Sequence, residues 1–183
     1  GEEIQNGFSV DRDAMYIVSD HRMYAMRANQ EGTPTVLWQE DYDRGSGRKV
    51  GTINQGSGTT PTLIGDEYLT ITDNADDRIN LLVYKRRPDY QGERLICTVP
   101  LFEPGASVTD NSMVGWGRSI ILENNFGYKS AVQQEDWSAI TGGIMRIDIR
   151  EDESGCDVIW RSSEKAPSNV PKMSAENGLA YFY

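Results

Sequence analysis

The chain has 183 residues, a net charge of −10 and a pI near 4.6. This length is sufficient to bury a hydrophobic core, and the acidic balance argues against nucleic-acid binding, which requires clustered basic side chains. No stretch approaches the roughly 20 apolar residues that cross a bilayer, so the sequence predicts no membrane span.

The first predicted unit covers about residues 6–44 and contains four strands. Alternating apolar residues predict strands at 8–10, 15–19, 22–28 and 36–42. Gly32 and Pro34 mark the turn between the third and fourth strands. The spacing indicates an antiparallel meander with short connections.

Three further units follow, at about residues 56–104, 107–166 and 169–183. Their predicted strands repeat the order of the first unit, although the last unit contains only two of the four. The second strands of the four units begin at Met15, Tyr68, Ser119 and Leu179, so that they lie 53, 51 and 60 residues apart.

A repeat of this length with four strands per unit is typical of β-propeller blades. We therefore predict an all-β fold, a single partial β-propeller over residues 1–183 with about three and a half blades of four antiparallel strands. Propellers close with about 4–8 blades, and an unpaired apolar strand such as 179–183 is normally avoided. We expect the remainder of the propeller, or a second chain, to complete the ring.

The two cysteines, Cys97 and Cys156, lie on or beside the fourth strands of the second and third units. If these units are neighbours, the two thiols can approach within disulfide distance; otherwise they are two separate buried thiols. A disulfide favours an oxidising compartment. Neither cysteine has a CxxC partner, which argues against a metal cluster or a redox motif.

Polar triplets end the second strands of three units: Ser19-Asp20-His21, Thr72-Asp73-Asn74 and Glu123-Asn124-Asn125. Equivalent positions of successive blades surround one axis, so Asp20, Asp73, Asn74, Glu123 and Asn124 are candidate ligands of a shared cation. Carboxylate and amide oxygens suit calcium, which can polarise an ester or lactone carbonyl. Alternatively, the Asp and Asn side chains cap the following turn by bonding to their own backbone.

His21 is the only histidine of the sequence. A single histidine excludes zinc sites built on two or three of them, and the sequence has no G-x-S-x-G nucleophile elbow. We therefore assign no catalytic residue. An insertion at residues 125–143, between the second and third strands of the third unit, lies where repeat proteins often build a binding surface.

The repeated strand order, with Trp38 and Trp160 on outer strands, resembles the quinoprotein-like (PQQ-repeat) β-propeller superfamily. The segment 56–63 together with Thr72-Asp73-Asn74 is similar to uncharacterised secreted bacterial proteins of that superfamily. The vicinal cysteine pair of the quinone enzymes is absent. Calcium-dependent lactonase propellers are similar in shape, and Asp73, Asn74, Glu123 and Asn124 are the positions that resemble their ligands.

These features together imply a secreted or periplasmic propeller that binds a small molecule or a protein on its channel or loop face. The alternative is an enzyme of the same fold, either a calcium-dependent lactone or ester hydrolase or a quinone-dependent dehydrogenase. Calcium is the cofactor that the residues suggest. A third reading is a structural subunit whose open strand edges pair with another chain.

Overall fold

The computed structural model describes residues 1–50, 52–129, 135–167 and 170–183, and in these residues fourteen β-strands form four antiparallel sheets. Three sheets have four strands and the last has two, and every strand pairs with its neighbours in the sequence. The prediction of an all-β fold is confirmed. The helical content of the described residues is one short 3-10 helix, Trp137–Ala139, and no helix there is long and apolar enough to cross a membrane.

The predicted strands are present, with ends that differ by a few residues. Sheet 1 contains β1 (Phe8–Val10), β2 (Met15–Val18), β3 (Arg22–Ala28) and β4 (Pro34–Asp41). Sheet 2 contains β5 (Thr62–Ile64), β6 (Tyr68–Thr72), β7 (Asn80–Lys85) and β8 (Leu95–Pro100). Sheet 3 contains β9 (Val114–Trp116), β10 (Ser119–Glu123), β11 (Ile144–Ile149) and β12 (Cys156–Ser162). Sheet 4 contains β13 (Lys172–Ser174) and β14 (Leu179–Tyr181).

Glycine makes the turn between the first and second strands in three of the sheets. Gly65, Gly117 and Gly178 have φ angles of 53°, 58° and 69°, a left-handed conformation that costs other residues about 1–2 kcal/mol. Sheet 1 lacks this glycine. There the turn is held by Asp11, whose Oδ1 accepts hydrogen bonds from the backbone N–H groups of Asp13 and Ala14.

Each four-stranded sheet has a bulge at the same place between its third and fourth strands. The register shifts fall between Ala25 and Met26, Val83 and Tyr84, and Arg146 and Ile147. A bulge strengthens the local twist of a strand pair. The residues opposite the first member of each pair are Trp38, Cys97 and Trp160. The sequence repeat is therefore also a repeat of backbone geometry.

The sheets pack face to face in chain order. One cluster of buried apolar side chains joins sheets 1 and 2, a second joins sheets 2 and 3, and a smaller one joins sheets 3 and 4. The first strands of successive sheets lie side by side. Ser9 Oγ donates to the carbonyl oxygen of Pro61 at 2.5 Å, Thr62 Oγ1 donates to that of Met113 at 3.4 Å, and β9 contacts β13.

A disulfide joins Cys97 on β8 to Cys156 on β12, with the Cα atoms 5.9 Å apart. The sequence left open whether these cysteines are bonded or separate. The structure shows the bond, which ties the outer strands of sheets 2 and 3 together.

The faces that sheets 2 and 3 turn toward the preceding sheet are built from four equivalent positions, two on the second strand and two on the third. In sheet 2 they are Leu69, Ile71, Leu82 and Tyr84, and in sheet 3 they are Ile120, Leu122, Met145 and Ile147. All eight side chains are at most 5% exposed. This repetition shows that sheets 2 and 3 use the same surface to pack on their predecessor.

The equivalent face of sheet 1 is open. Its four positions are Met15, Ile17, Tyr24 and Met26, which are only half-buried. Phe8 and Val10 pair with Ile17 and Met15 on the same face and are 59% and 60% exposed. No sheet covers this face within the described part of the chain.

Candidate functional site

The polar residues after the second strands form two columns of equivalent positions. In the first column a backbone N–H donates to a backbone carbonyl oxygen at the start of the third strand. The three bonds run from Ser19 to Arg22, from Asp73 to Asn80 and from Asn124 to Gly143. In the second column a backbone N–H donates to a carbonyl oxygen in the segment before the first strand of a sheet. The three bonds run from Asp20 to Glu3, from Asn74 to Asp43 and from Asn125 to Val108. Ser19, and not Asp20, is thus equivalent to Asp73 and Asn124.

The first column caps the loops that follow the second strands. Asp73 Oδ1 accepts from the N–H of Asn80 at 2.6 Å and from that of Ala75 at 3.3 Å, and its Oδ2 accepts from Asn80 Nδ2. Although these donors favour the carboxylate, burial outweighs them and raises the pKa of Asp73.

Asn124 uses both ends of its amide. Its Oδ1 accepts from the N–H groups of Phe126 and Val108 at 3.1 and 3.2 Å. Its Nδ2 donates to the carbonyl oxygens of Ala106 and Gly142 at 2.8 and 2.9 Å. The side chain therefore fixes two loops to the end of β10.

The side chains of the second column form hydrogen bonds with the segments that precede the first strands of sheets. Asp20 Oδ1 accepts from the N–H of Glu3, and its Oδ2 lies 2.6 Å from Arg44 Nη2. Burial opposes ionisation of Asp20, but these donors and His21, whose Nδ1 lies 2.9 Å away, lower its pKa. Asn74 Nδ2 donates to the carbonyl oxygens of Arg44 and Gly47.

These contacts bear on the predicted calcium ligands. The side-chain oxygens of Asp20, Asp73 and Asn124 already accept protein donors. Among the residues that the structure describes, no three His, Cys, Asp or Glu side chains are grouped as a metal site requires. The geometry favours the turn-capping interpretation, and calcium binding stays a prediction.

Glu123, the fifth predicted ligand, belongs to a different environment. It is 1% exposed, on the face of sheet 3 that points toward sheet 4. Its Oε1 accepts from Asn111 Nδ2 at 2.6 Å, while its buried Oε2 has no hydrogen-bond partner in the described residues. Burial, with a further contribution from the charge of Asp110, raises the pKa of Glu123 to about 8.

Asp110, which the sequence did not single out, is the second member of this acidic pair. Its Oδ2 accepts from the N–H of Ile53 at 3.2 Å, and its buried Oδ1 has no partner within the described ranges. Burial raises the pKa of Asp110 to about 6. Perturbed carboxylates can mark a functional site, but structural networks perturb pKa values as well, and Glu123 is closed to solvent.

A cavity of about 450 Å³ opens between sheets 2 and 3, at the end where β8, β10 and β12 finish. Its buried apolar side chains are Phe102 and Met145, which are 6% and 1% exposed. The remaining lining residues are polar or lack a side chain: Glu103, Asn124, Thr141, Gly142, Gly143, Arg161, Ser162 and Ser163. We refer to this space as the sheet 2–3 cavity.

Unusual backbone geometry shapes the sheet 2–3 cavity. Phe102 has a φ of 58°, a left-handed conformation that is rare outside glycine, and its N–H donates to Met145 Sδ at 3.3 Å. Gly142 and Gly143 have φ angles of 74° and 125°. A Cβ on Gly143 would lie 3.2 Å from the Phe102 ring, so glycine lets the backbone pack closely against that ring.

Two charged side chains of opposite sign are exposed at the rim of the sheet 2–3 cavity. Neither Glu103 nor Arg161 makes a side-chain hydrogen bond or an ion pair with any residue that the structure describes. A second cavity, of about 340 Å³ between sheets 1 and 2, differs in this respect. There Arg86 Nε lies 3.0 Å from Asp11 Oδ2, so charges neutralise each other within the protein.

Sequence reasoning located this region only coarsely. The predicted binding insertion, residues 125–143, contributes Thr141, Gly142 and Gly143 to the cavity, while its residues 130–134 lie outside the described residues. Asn124 also lines the cavity, where it holds the Gly142 carbonyl. Nothing in the sequence marked Phe102 or Arg161 as a residue of a binding site, since neither belongs to a motif.

Comparison of the sequence with models of known protein families finds no match, and comparison with curated proteins finds none. The functional assignment therefore depends on the geometry of the sheet 2–3 cavity.

Proposed function

We propose that this chain is part of an exported β-propeller and acts as a binding domain that holds a small molecule in the sheet 2–3 cavity. The cavity itself carries the proposal. Its volume lies within the range of about 300–1,000 Å³ that small-molecule sites occupy, and such sites combine an apolar floor with a few polar groups. Phe102 and Met145 supply the floor, and the unpaired rim charges supply the polar groups.

Three repeated features support the propeller architecture. The bulges recur at equivalent positions, the first strands of successive sheets lie side by side, and sheets 2 and 3 pack on their predecessors through the same four positions. Radially arranged blades have all three properties. The open face of sheet 1 is then the place where a further sheet docks.

The disulfide supports export. Disulfides persist in oxidising compartments and are rare where thiols are kept reduced. The bond between Cys97 and Cys156 accounts for both cysteines of the sequence, which fits a secreted or periplasmic location.

Filling the cavity tests the binding function. Arg161→Trp at its edge should weaken bound fragments at least about tenfold, because Arg161 pairs with Met145 on the face turned toward sheet 2 and an indole at this position fills the cavity. Thr35→Trp, on the exposed edge strand β4, is the matched control and should leave binding unchanged. Fragment titrations monitored by protein NMR provide the measurement. Fragments that bind both variants as well as the unmodified chain would contradict the proposal.

The enzymatic alternative, a calcium-dependent hydrolase, is supported by Glu123 Oε2, which has no hydrogen-bond partner among the described residues. An ion that binds the folded chain raises its melting temperature by mass action. On the binding proposal we expect millimolar Ca²⁺ to leave the melting temperature unchanged at pH 7. A calcium-dependent rise that Glu123→Gln abolishes would favour the hydrolase instead.

A further inference from the structure

We infer that the sheet 2–3 cavity selects a zwitterion with an apolar body, of which an amino acid with an aromatic or aliphatic side chain is the simplest example. This inference rests on the proposed binding function. It follows from the two opposite charges at one rim and from the apolar side chains that form the floor of the cavity.

The two rim charges do not neutralise each other. Glu103 and Arg161 line the same cavity, yet their charged atoms lie farther apart than the 4.0 Å of an ion pair. A ligand that carries both charges can contact both residues. Arg161 can hold a carboxylate through two parallel N–H donors, and Glu103 can accept from an ammonium group.

Strand register places Arg161 at the carboxylate end. Arg161 pairs with Met145 on the face of sheet 3 that turns toward sheet 2, whereas Ser162 pairs with Ile144 on the opposite face. Ser163 follows at the end of the strand, is exposed and lines the cavity with Arg161. Its hydroxyl can donate beside the guanidinium, as an anionic group requires.

The apolar body has a matching surface. Phe102 and Met145 are the apolar side chains that line the cavity, and glycine at position 143 places no side chain against the Phe102 ring. Aromatic rings and methionine sulfur both pack well against an aromatic ligand. A hydrophilic zwitterion lacks this contact and should bind more weakly.

Three probes that differ only in charge test the inference on the full chain. L-phenylalanine carries both charges, 3-phenylpropanoate only the negative one and phenethylamine only the positive one. For a ligand of this size at a partly open site we expect a dissociation constant on the order of 1 mM for phenylalanine. The two singly charged probes should bind at least about fivefold more weakly, as expected for loss of one partly exposed charge contact.

Two charge-removing variants show which residue contacts the carboxylate of the ligand and which contacts its ammonium group. Arg161→Gln should weaken phenylalanine and phenylpropanoate about fivefold and leave phenethylamine unchanged, whereas Glu103→Gln should weaken phenylalanine and phenethylamine only. Arg12→Gln, an exposed arginine at the opposite end of the sheets, is the control. Dispersed NMR spectra of each variant establish that it is folded.

The outcomes separate this inference from the proposed function. If all three probes bind equally, resist both charge variants and are blocked by Arg161→Trp, the zwitterion preference is wrong and the binding site stands. If only a singly charged probe binds, the preference is again wrong. If none of the three binds at up to about 20 mM, both the inference and the proposed function are overturned.

Discussion

Glu123 shows how one buried carboxyl couples the fold to pH. Its burial between sheets 3 and 4 removes water from a group whose Oε2 has no replacement partner in the described residues. The neutral form is therefore the stable form of the folded chain, and the pKa rises to about 8. Ionisation in the folded state leaves a buried negative charge beside Asp110.

We expect the free energy of unfolding to fall as pH rises from about 4.5 to about 8. In this window the unfolded chain has released the Glu123 proton while the folded chain retains it, so higher pH favours unfolding. Each pKa unit corresponds to about 1.4 kcal/mol, which gives an effect on the order of a few kcal/mol. Glu123→Gln should remove most of this loss.

Urea denaturation at pH 5 and pH 8.5 measures the effect. Glu151→Gln, at an exposed turn, should keep the pH dependence of the unmodified chain. Asp110→Asn should reduce the dependence, because the charge of Asp110 raises the Glu123 pKa and Asp110 itself retains a proton to about pH 6. A Glu123→Gln variant that loses stability with pH as the unmodified chain does would contradict the assignment.

The two interpretations of Asn124 give opposite expectations for Asn124→Asp. As a turn cap, Asn124 donates through Nδ2 to two carbonyl oxygens, so a carboxylate there faces two acceptors. We expect a loss of about 2–4 kcal/mol in urea denaturation. As a calcium ligand, a carboxylate would instead be tolerated and would strengthen calcium binding.

Asn29→Asp is the matched control for this change. Among the described residues, the hydrogen bonds of the Asn29 side chain use only its oxygen, which accepts from the N–H groups of Glu31 and Thr33. Aspartate preserves both contacts, so stability should change by less than about 0.5 kcal/mol. Equal effects at positions 29 and 124 would show that the amide donors of Asn124 contribute nothing.

At the level of strands, the disulfide between β8 and β12 holds two sheets together at their outer edge. It spans 59 residues of the sequence, so its loss allows the unfolded chain many more conformations. We expect Cys97→Ser with Cys156→Ser to lower the free energy of unfolding by about 2–4 kcal/mol. Denaturant titrations with and without a thiol reductant measure this loss.

The same titrations contain their own control. The reductant should destabilise the unmodified chain by a similar amount and leave the double-serine variant unaffected. A reductant effect of equal size on both proteins would show that the loss does not come from this bond.

At the level of the whole molecule, the open face of sheet 1 can be compared with its covered equivalent in sheet 2. Ile71 is fully buried under sheet 1, whereas Ile17 occupies the equivalent position on the open face and is half-buried. We expect Ile71→Glu to cost at least about 4 kcal/mol or to unfold the chain. Ile17→Glu should cost about 1 kcal/mol or less.

Thermal or urea denaturation of the two variants measures this difference. If Ile17→Glu destabilises the chain as strongly as Ile71→Glu, the face of sheet 1 is not open and the argument for a docking sheet fails. Because the two residues have the same type and equivalent positions, the comparison isolates the effect of the covering sheet.

The strands and their grouping into sheets could be predicted from the sequence alone. In a strand, successive side chains point to opposite faces, so segments such as Met15–Val18 and Arg22–Ala28 show their burial directly as alternation. Turn glycines such as Gly65 and Gly117 then separate one strand from the next, because they readily adopt positive φ. These signals are local, which is why they are readable in one chain.

The exact equivalences, the disulfide and the cavity were settled by the tertiary structure. The pairing of the second and third strands places Ser19, and not Asp20, at the position equivalent to Asp73 and Asn124, and no alternation in the sequence records this register. Phe102 and Arg161 meet because sheets 2 and 3 pack face to face. Contacts between residues distant in the sequence depend on the packing of whole sheets, and that packing leaves no periodic mark along the chain.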